Sequence, residues 1–256
     1  MKLLIPLLLL FYAGNNNRPE TGTLYSLTGS KAVNSKETAW QSFLQHLPTE
    51  NAPIRDYKGR LVSDQEKHAA IIKYDVGNKD LQQCADALMR LRSEYLFKEN
   101  RYSEIGFHFT TGNYYSWEAY CEGQRPSIKG QHIKFVATGT GSPKDHASLR
   151  KYLDILYAYA NTVSLEKELK DANDFTIGTV IIKPGYPGHT CIIIDEKSLP
   201  DGRKLYKLAE GYMPAQSIYI LNNTIQPWLG AWYALKKGPI TTASFEFDNY
   251  SLKKFE

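Results

Sequence analysis

The chain lacks most of the groups that announce a chemistry. Among its 256 residues there are only three cysteines, Cys84, Cys121 and Cys191, and no Cys-x-x-Cys pair. The six histidines stand at positions 46, 68, 108, 132, 146 and 189, and only His189 has a second soft ligand nearby, Cys191. Two ligands on alternate strand positions are too few for a metal centre, so no metal is expected. No cofactor motif is present either. The run Gly139 to Lys144 departs from the glycine and lysine spacing of a phosphate loop and reads as a solvated turn. There is no Gly-x-Ser-x-Gly, which argues against a serine nucleophile on a strand-to-helix elbow. Charge of one sign never accumulates: 31 Lys and Arg are spread among 27 Asp and Glu, for a net +4. A dedicated nucleic-acid partner is therefore not expected. Two carboxylates acting as a glycosidase pair would leave no spacing signature, and the chain has Asp and Glu enough for one.

Long apolar runs are also missing. The one conspicuous run, Leu3 to Tyr12, follows Lys2 and precedes Ala13, Gly14 and three asparagines. It is too short to span a bilayer and has the layout of a signal-peptide core. Residues 1–14 are accordingly read as a signal-like segment, and the protein as exported, periplasmic or associated with the cell envelope. Asn15 occupies the place of an acylated cysteine in a lipoprotein signal, so no lipid is expected there.

What the chain does have is periodicity. Hydrophobic residues make up 42% and charged residues 23%, the proportions of a folded chain long enough to bury a core without staples. Residues 15–50 read as a flexible lead-in ending in a short helix with Trp40, Phe43, Leu44 and Leu47 on one side. Residues 51–256 read as a single α+β domain. Leu81, Cys84, Leu88, Leu91 and Tyr95 form an apolar stripe that predicts a helix over 80–99, with Asp80 and Gln83 as a capping box and Asp86–Arg90 as a pair on its wet side. A strand is expected over 69–76, a short helix over 114–122, a hairpin over 127–137, and two more helices over 145–159 and 162–169. Four strands follow near 179–182, 190–195, 204–210 and 217–221, the middle two joined by the turn Pro200 to Arg203. Helices first and a meander last predict an antiparallel sheet in the C-terminal half, packed against helices.

Three residues in this layout carry chemistry. Cys84 lies at the start of the predicted helix, where the macrodipole and free backbone N–H groups favour a thiolate and an oxyanion. The apolar stripe equally suits a core cysteine. His189 opens a strand after the accessible loop Gly185 to Gly188, a place from which an imidazole can reach a cleft, although a surface histidine can also start a strand. Counting back from the Asp201–Gly202 turn sets Glu210 roughly opposite His189, where it can fix the ring, or else stand as a solvated strand-end charge. Gln83, Gly188, Gln216 and Trp117 are the residues expected to touch a substrate.

These same residues carry a resemblance. The stretch from Asp75 to Tyr95, Phe107 to Gly112, Pro187 to His189 with the isoleucines up to Asp195, and Tyr212 to Gln216 resembles a bacterial family, domain of unknown function 4846. That family occurs largely in Bacteroides-type bacteria, often with an export signal. Two positions depart from its pattern: Glu210 stands where the family usually has Gln, and Gly230-Ala231 precedes Trp232-Tyr233 where it usually has Ser-Pro. The order of a helix-start cysteine, a strand-start histidine and a polar residue on the next strand is also similar to papain-like cell-wall cysteine peptidases. In those enzymes a small residue and an aromatic follow the cysteine, whereas here Ala85 and Asp86 do. The second likeness implies a cysteine hydrolase acting on an amide or ester bond of a cell-envelope peptide. The competing expectation is a non-catalytic envelope module that binds a peptide or glycan through its 18 tyrosines and four tryptophans. Nothing in the sequence specifies an oligomeric state.

Overall fold

The computed structural model describes residues 38–130 and 132–256. The signal-like segment and the lead-in up to residue 37 lie outside the described residues. The first helix, α1 (Ala39–Gln45), starts where Thr38 can cap it, its hydroxyl accepting from the Gln41 N–H. Strands β1 (Thr49–Glu50) and β2 (His68–Ile72) follow, then the central helix α2 (Cys84–Lys98). The middle of the chain holds the pair β3 (Gly106–His108) and β4 (Tyr114–Ser116), α3 (Trp117–Cys121), the hairpin β5 (Gln124–Lys129) and β6 (His132–Ala137), α4 (His146–Tyr157) and α5 (Thr162–Glu168). The last third contains β7 (Lys170–Asp171), β8 (Thr179–Lys183), β9 (His189–Ser198), β10 (Lys204–Glu210), β11 (Tyr219–Leu221), a small pair β12 (Ile240–Thr241) and β13 (Glu246–Phe247), and β14 (Ser251–Lys254).

Eight strands form one antiparallel sheet in the order β1-β2-β11-β10-β9-β8-β14-β7. The four strands expected in the C-terminal half are its consecutive middle, and α2 packs on β9 and β10. The architecture is α+β. Period-two alternation divides β9 between two cores. Ile192 and Ile194 join Leu88, Leu91, Leu149 and Leu153 under the helices. Cys191 and Ile193 join Tyr206, Tyr219, Tyr233 and Phe247 on the opposite face.

Several local expectations are corrected. Helix α2 begins at Cys84 rather than Asp80, because Asp80 is engaged elsewhere: its Oδ1 accepts from the Ala215 N–H at 2.7 Å and from the Gln83 side chain at 3.2 Å. Asp86 and Arg90 are not on a wet face. Both are buried, and Arg90 reaches Glu94, Asp75 and Gln82 instead. A helix covered on every side has no wet stripe to offer. The strand expected over 69–76 stops at Ile72, and the segment 114–122 is a strand before it is a helix.

Candidate active site

The site lies at the end of the sheet where β9 begins and β10 ends. A one-residue bulge decides its geometry. From the turn outward the hairpin pairs Lys204 with Ser198 and Lys207 with Asp195, a register that would bring Glu210 opposite Ile192. Ile194 then stands unpaired, and the ladder resumes as Leu208 with Ile193 and Ala209 with Ile192. One step further on, Glu210 falls beside Cys191, on the face that His189 shares. Without the extra residue, Glu210 and His189 would point to opposite faces of the sheet.

Glu210 is wholly buried, with both oxygens occupied. Oε2 lies 2.8 Å from Nε2 of His189, and Oε1 accepts from the Tyr219 hydroxyl at 2.6 Å. The imidazole is boxed in by rings, with centroids of Tyr212 and Phe245 each 5.0 Å away and Phe247 5.8 Å away. With Nε2 committed to Glu210, the other edge of the ring stays free of the carboxylate, and the Cys84 sulfur is near enough to act on the imidazole charge. Burial by itself would push the imidazole towards neutrality, but the Glu210 carboxylate and the Cys84 sulfur outweigh it and hold the His189 pKa up to about 9. The Lys67 ammonium lies over the Tyr212 and Tyr219 rings, at 4.7 and 5.4 Å. Burial lowers its pKa, while Glu210 works in the other direction.

Cys84 is the first residue of α2, and close packing delivers it to the histidine. Gly211 follows Glu210 at the end of β10, and a Cβ there would stand 2.7 Å from the Ala87 Cβ and 3.1 Å from the Gln83 carbonyl. Only a glycine lets the first turn of α2 settle on the strand end. Gly188 is under the same constraint, since a Cβ would sit 2.3 Å from the Gly185 carbonyl. The turn that presents His189 therefore folds tightly back on itself.

Cys84, His189, Gln83 and Gly188 all line one open cleft of about 920 Å³. Two of the residues expected to touch substrate do not. Trp117 is fully buried, its indole N–H donating to Ser148, and it belongs to the helical core. Its aromatic, polar-flanked segment suggests a surface, but Phe97, Tyr102 and Ser148 pack against it. Gln216 is also buried, pairs across a bridge with Asp56 and lies outside the cleft lining. Other participants carry no sequence signal of their own. Tyr219 and Lys67 meet Glu210 only through the order of the sheet, and Tyr186, 97% exposed, stands at the cleft rim beside Pro187. All three cysteines are buried, but Cys121 and Cys191 lie outside the cleft lining, and burial pushes both of their thiols above the ordinary pKa. Among the described residues no group of three or more His, Cys, Asp and Glu is placed to hold a metal ion, and no helix is long and apolar enough to cross a membrane.

Residues 23–254 match the family described as Domain of unknown function (4846). The chain belongs to this family. No curated protein and no solved structure matches the chain. The match extends over α2, β9 and β10, so the Cys84, His189 and Glu210 positions all lie within the Domain of unknown function (4846) region.

Proposed function

We propose that the protein is a papain-like cysteine hydrolase acting on an amide or ester bond in a cell-envelope peptide. One observation carries this reading: a helix-start thiol and an imidazole line the same open cleft, and a buried carboxylate holds the imidazole at 2.8 Å. In this mechanism the Cys84 sulfur attacks the carbonyl carbon. The oxyanion is held by N–H groups of the first turn of α2, which helix geometry leaves without intrahelical partners. His189 passes its proton to the leaving amine or alcohol, and an acyl-enzyme remains. Water, deprotonated by His189, then attacks the thioester and frees Cys84. Glu210 fixes the imidazole edge and balances its charge, and Tyr219 fixes Glu210. The envelope setting rests on the apolar run after Lys2 and on the order of the site residues.

Alkylation tests the reading directly. Near neutral pH, iodoacetamide should modify Cys84 much faster than Cys121 or Cys191, and His189→Ala should slow that reaction. Turnover of a panel of envelope-type peptides should vanish in Cys84→Ser. A Cys84 that stays inert until the protein unfolds would refute the hydrolase. The exposed Tyr186 and Met213 at the cleft rim favour a second reading, a module that binds peptide or glycan without turning it over. In that case binding would survive Cys84→Ser and no product would form with the wild type.

A further inference from the structure

The wall of the cleft holds polar atoms that the mechanism above does not use. Asp86, in the first turn of α2 and two residues from Cys84, is only 6% exposed. Its Oδ2 accepts from the Gln83 N–H at 3.1 Å, while its Oδ1 is enclosed and has no hydrogen-bond partner. Tyr157, at the end of α4, is 5% exposed, and its hydroxyl is likewise enclosed and unpartnered. Both residues line the cleft. A buried polar group without a partner is destabilising, and two of them in one wall can be satisfied by a ligand donor.

The charges around them narrow the ligand. The residues lining the cleft include two carboxyl groups, Asp80 and Asp86, and neither a lysine nor an arginine, although the chain as a whole carries net +4. Among those lining residues a carboxylate ligand would find the imidazole as its one cationic group, the Lys67 and Lys183 ammonium groups standing against the Tyr212 and Phe245 rings and Arg90 and Arg150 acting on Tyr157 from outside the lining. A primary ammonium can donate to a carboxylate and to a phenolic oxygen at once, since it has three donors and no acceptor.

We propose that Asp86 and Tyr157 form a subsite for a primary ammonium group of the substrate, next to the bond that Cys84 attacks. The inference rests on the cysteine-hydrolase reading and specifies its substrate: a peptide presenting either a free N-terminal amine or an aminoalkyl side chain close to the scissile carbonyl. Asp86 binds and selects; the bond-breaking groups remain Cys84 and His189. Burial pushes the Asp86 carboxyl up to about 8. In the empty cleft at neutral pH it is therefore protonated, and a seated ammonium would displace that proton.

The test reads charge preference rather than turnover. Cys84 in the full chain is treated at pH 8 with three methanethiosulfonates, bearing aminoethyl, methyl and sulfonatoethyl groups. Each forms a mixed disulfide with Cys84 and releases methanesulfinate, and each rate is divided by that of free 2-mercaptoethanol. The wild type should favour the aminoethyl over the methyl reagent by about tenfold, an energy difference of roughly 1.4 kcal/mol. In Asp86→Asn that ratio should fall to about one or below, because the His189 imidazolium then dominates the local field. A wild type without cation preference, or a variant that keeps it, overturns the subsite. Either result would leave the hydrolase reading intact if Cys84 still reacts in a His189-dependent way. Loss of His189 dependence, with the charge preference kept, would refute the hydrolase alone. Protection experiments separate the two amine sources. Alanyl-alanine amide, but not its N-acetyl form, shields Cys84 from the methyl reagent if the N-terminus is read. Nα-acetyl-lysine amide, but not its norleucine analogue, does so if a side chain is read. Protection by neither amine overturns the subsite.

Discussion

Glu210 is wholly buried and holds the Nε2 edge of His189 at 2.8 Å, so the imidazole is a charged group inside an aromatic box rather than a solvated one. A lone buried imidazole would shed its proton. Here the Glu210 carboxylate, with the Cys84 sulfur, reverses that tendency. The Tyr219 hydroxyl on the second carboxylate oxygen, with the Lys67 ammonium stacked nearby, makes a buried glutamate tenable in that position.

Glu210→Gln should therefore lower the His189 pKa from about 9 to below its ordinary value of 6.5, since burial then prevails. The amide keeps the shape and removes the charge. Titration of the ring followed by NMR measures the change, and a pKa that stays above 8 would show that Glu210 is not what holds the proton. The alkylation rate of Cys84 at pH 7 should fall with it.

Tyr219→Phe removes the donor to Oε1 of Glu210, leaving part of a buried carboxylate unsatisfied. A destabilisation of about 1–3 kcal/mol is expected in urea unfolding. Simultaneous Glu210→Gln should cost less than the sum of the two single changes, because each removes part of the same contact. Strict additivity would show that the hydroxyl and the carboxylate are not coupled.

Gly211→Ala should disturb the contact between helix and strand more than the fold. The added methyl would stand 2.7 Å from the Ala87 Cβ, so the first turn of α2 must move away from the end of β10. A loss of about 1–3 kcal/mol is typical of such overpacking. The informative readout is Cys84 alkylation, which should lose its dependence on His189 as the two separate. Unchanged His189 dependence would mean that Gly211 does not set their spacing.

The sequence made the four middle strands of the sheet readable and singled out Cys84, His189 and Glu210, because these depend on apolar periodicity and on residue type next to glycine. It did not reveal how Glu210 reaches His189. A count from the Asp201–Gly202 turn runs along an unbroken ladder, and nothing in a row of three isoleucines marks Ile194 as the residue that drops out of register. Burial misled at both ends of the scale. Trp117 has the flanking residues of a surface segment and is enclosed by elements distant in sequence. Asp86 fits the pattern of a solvated i,i+4 pair and is instead buried, on a helix packed against α4, α5 and the sheet, contacts that local sequence does not encode.

Asp86 also leads to a prediction about stability, whose sign follows from its raised pKa. In the unfolded chain this carboxyl gives up its proton near 3.8, whereas the folded protein retains it until about 8. Between those values the native state binds more protons than the unfolded one, so rising pH draws the equilibrium towards unfolding. Asp86→Asn removes this liability while keeping an acceptor for the Gln83 N–H. At pH 4 the variant and the wild type should unfold within about 1 kcal/mol of each other. At pH 8 the variant should be more stable, by on the order of 4 kcal/mol. His189, with its pKa also raised, loses its own stabilising contribution over the range from 6.5 to about 9, but it does so in both proteins and cancels in the difference. Urea unfolding at pH 4, 6 and 8 supplies the comparison. A difference that does not grow with pH would mean that Asp86 is ionised in the fold at neutral pH. A growing difference would identify Asp86 as a residue kept at the expense of stability, as expected of a group whose partner arrives with the substrate.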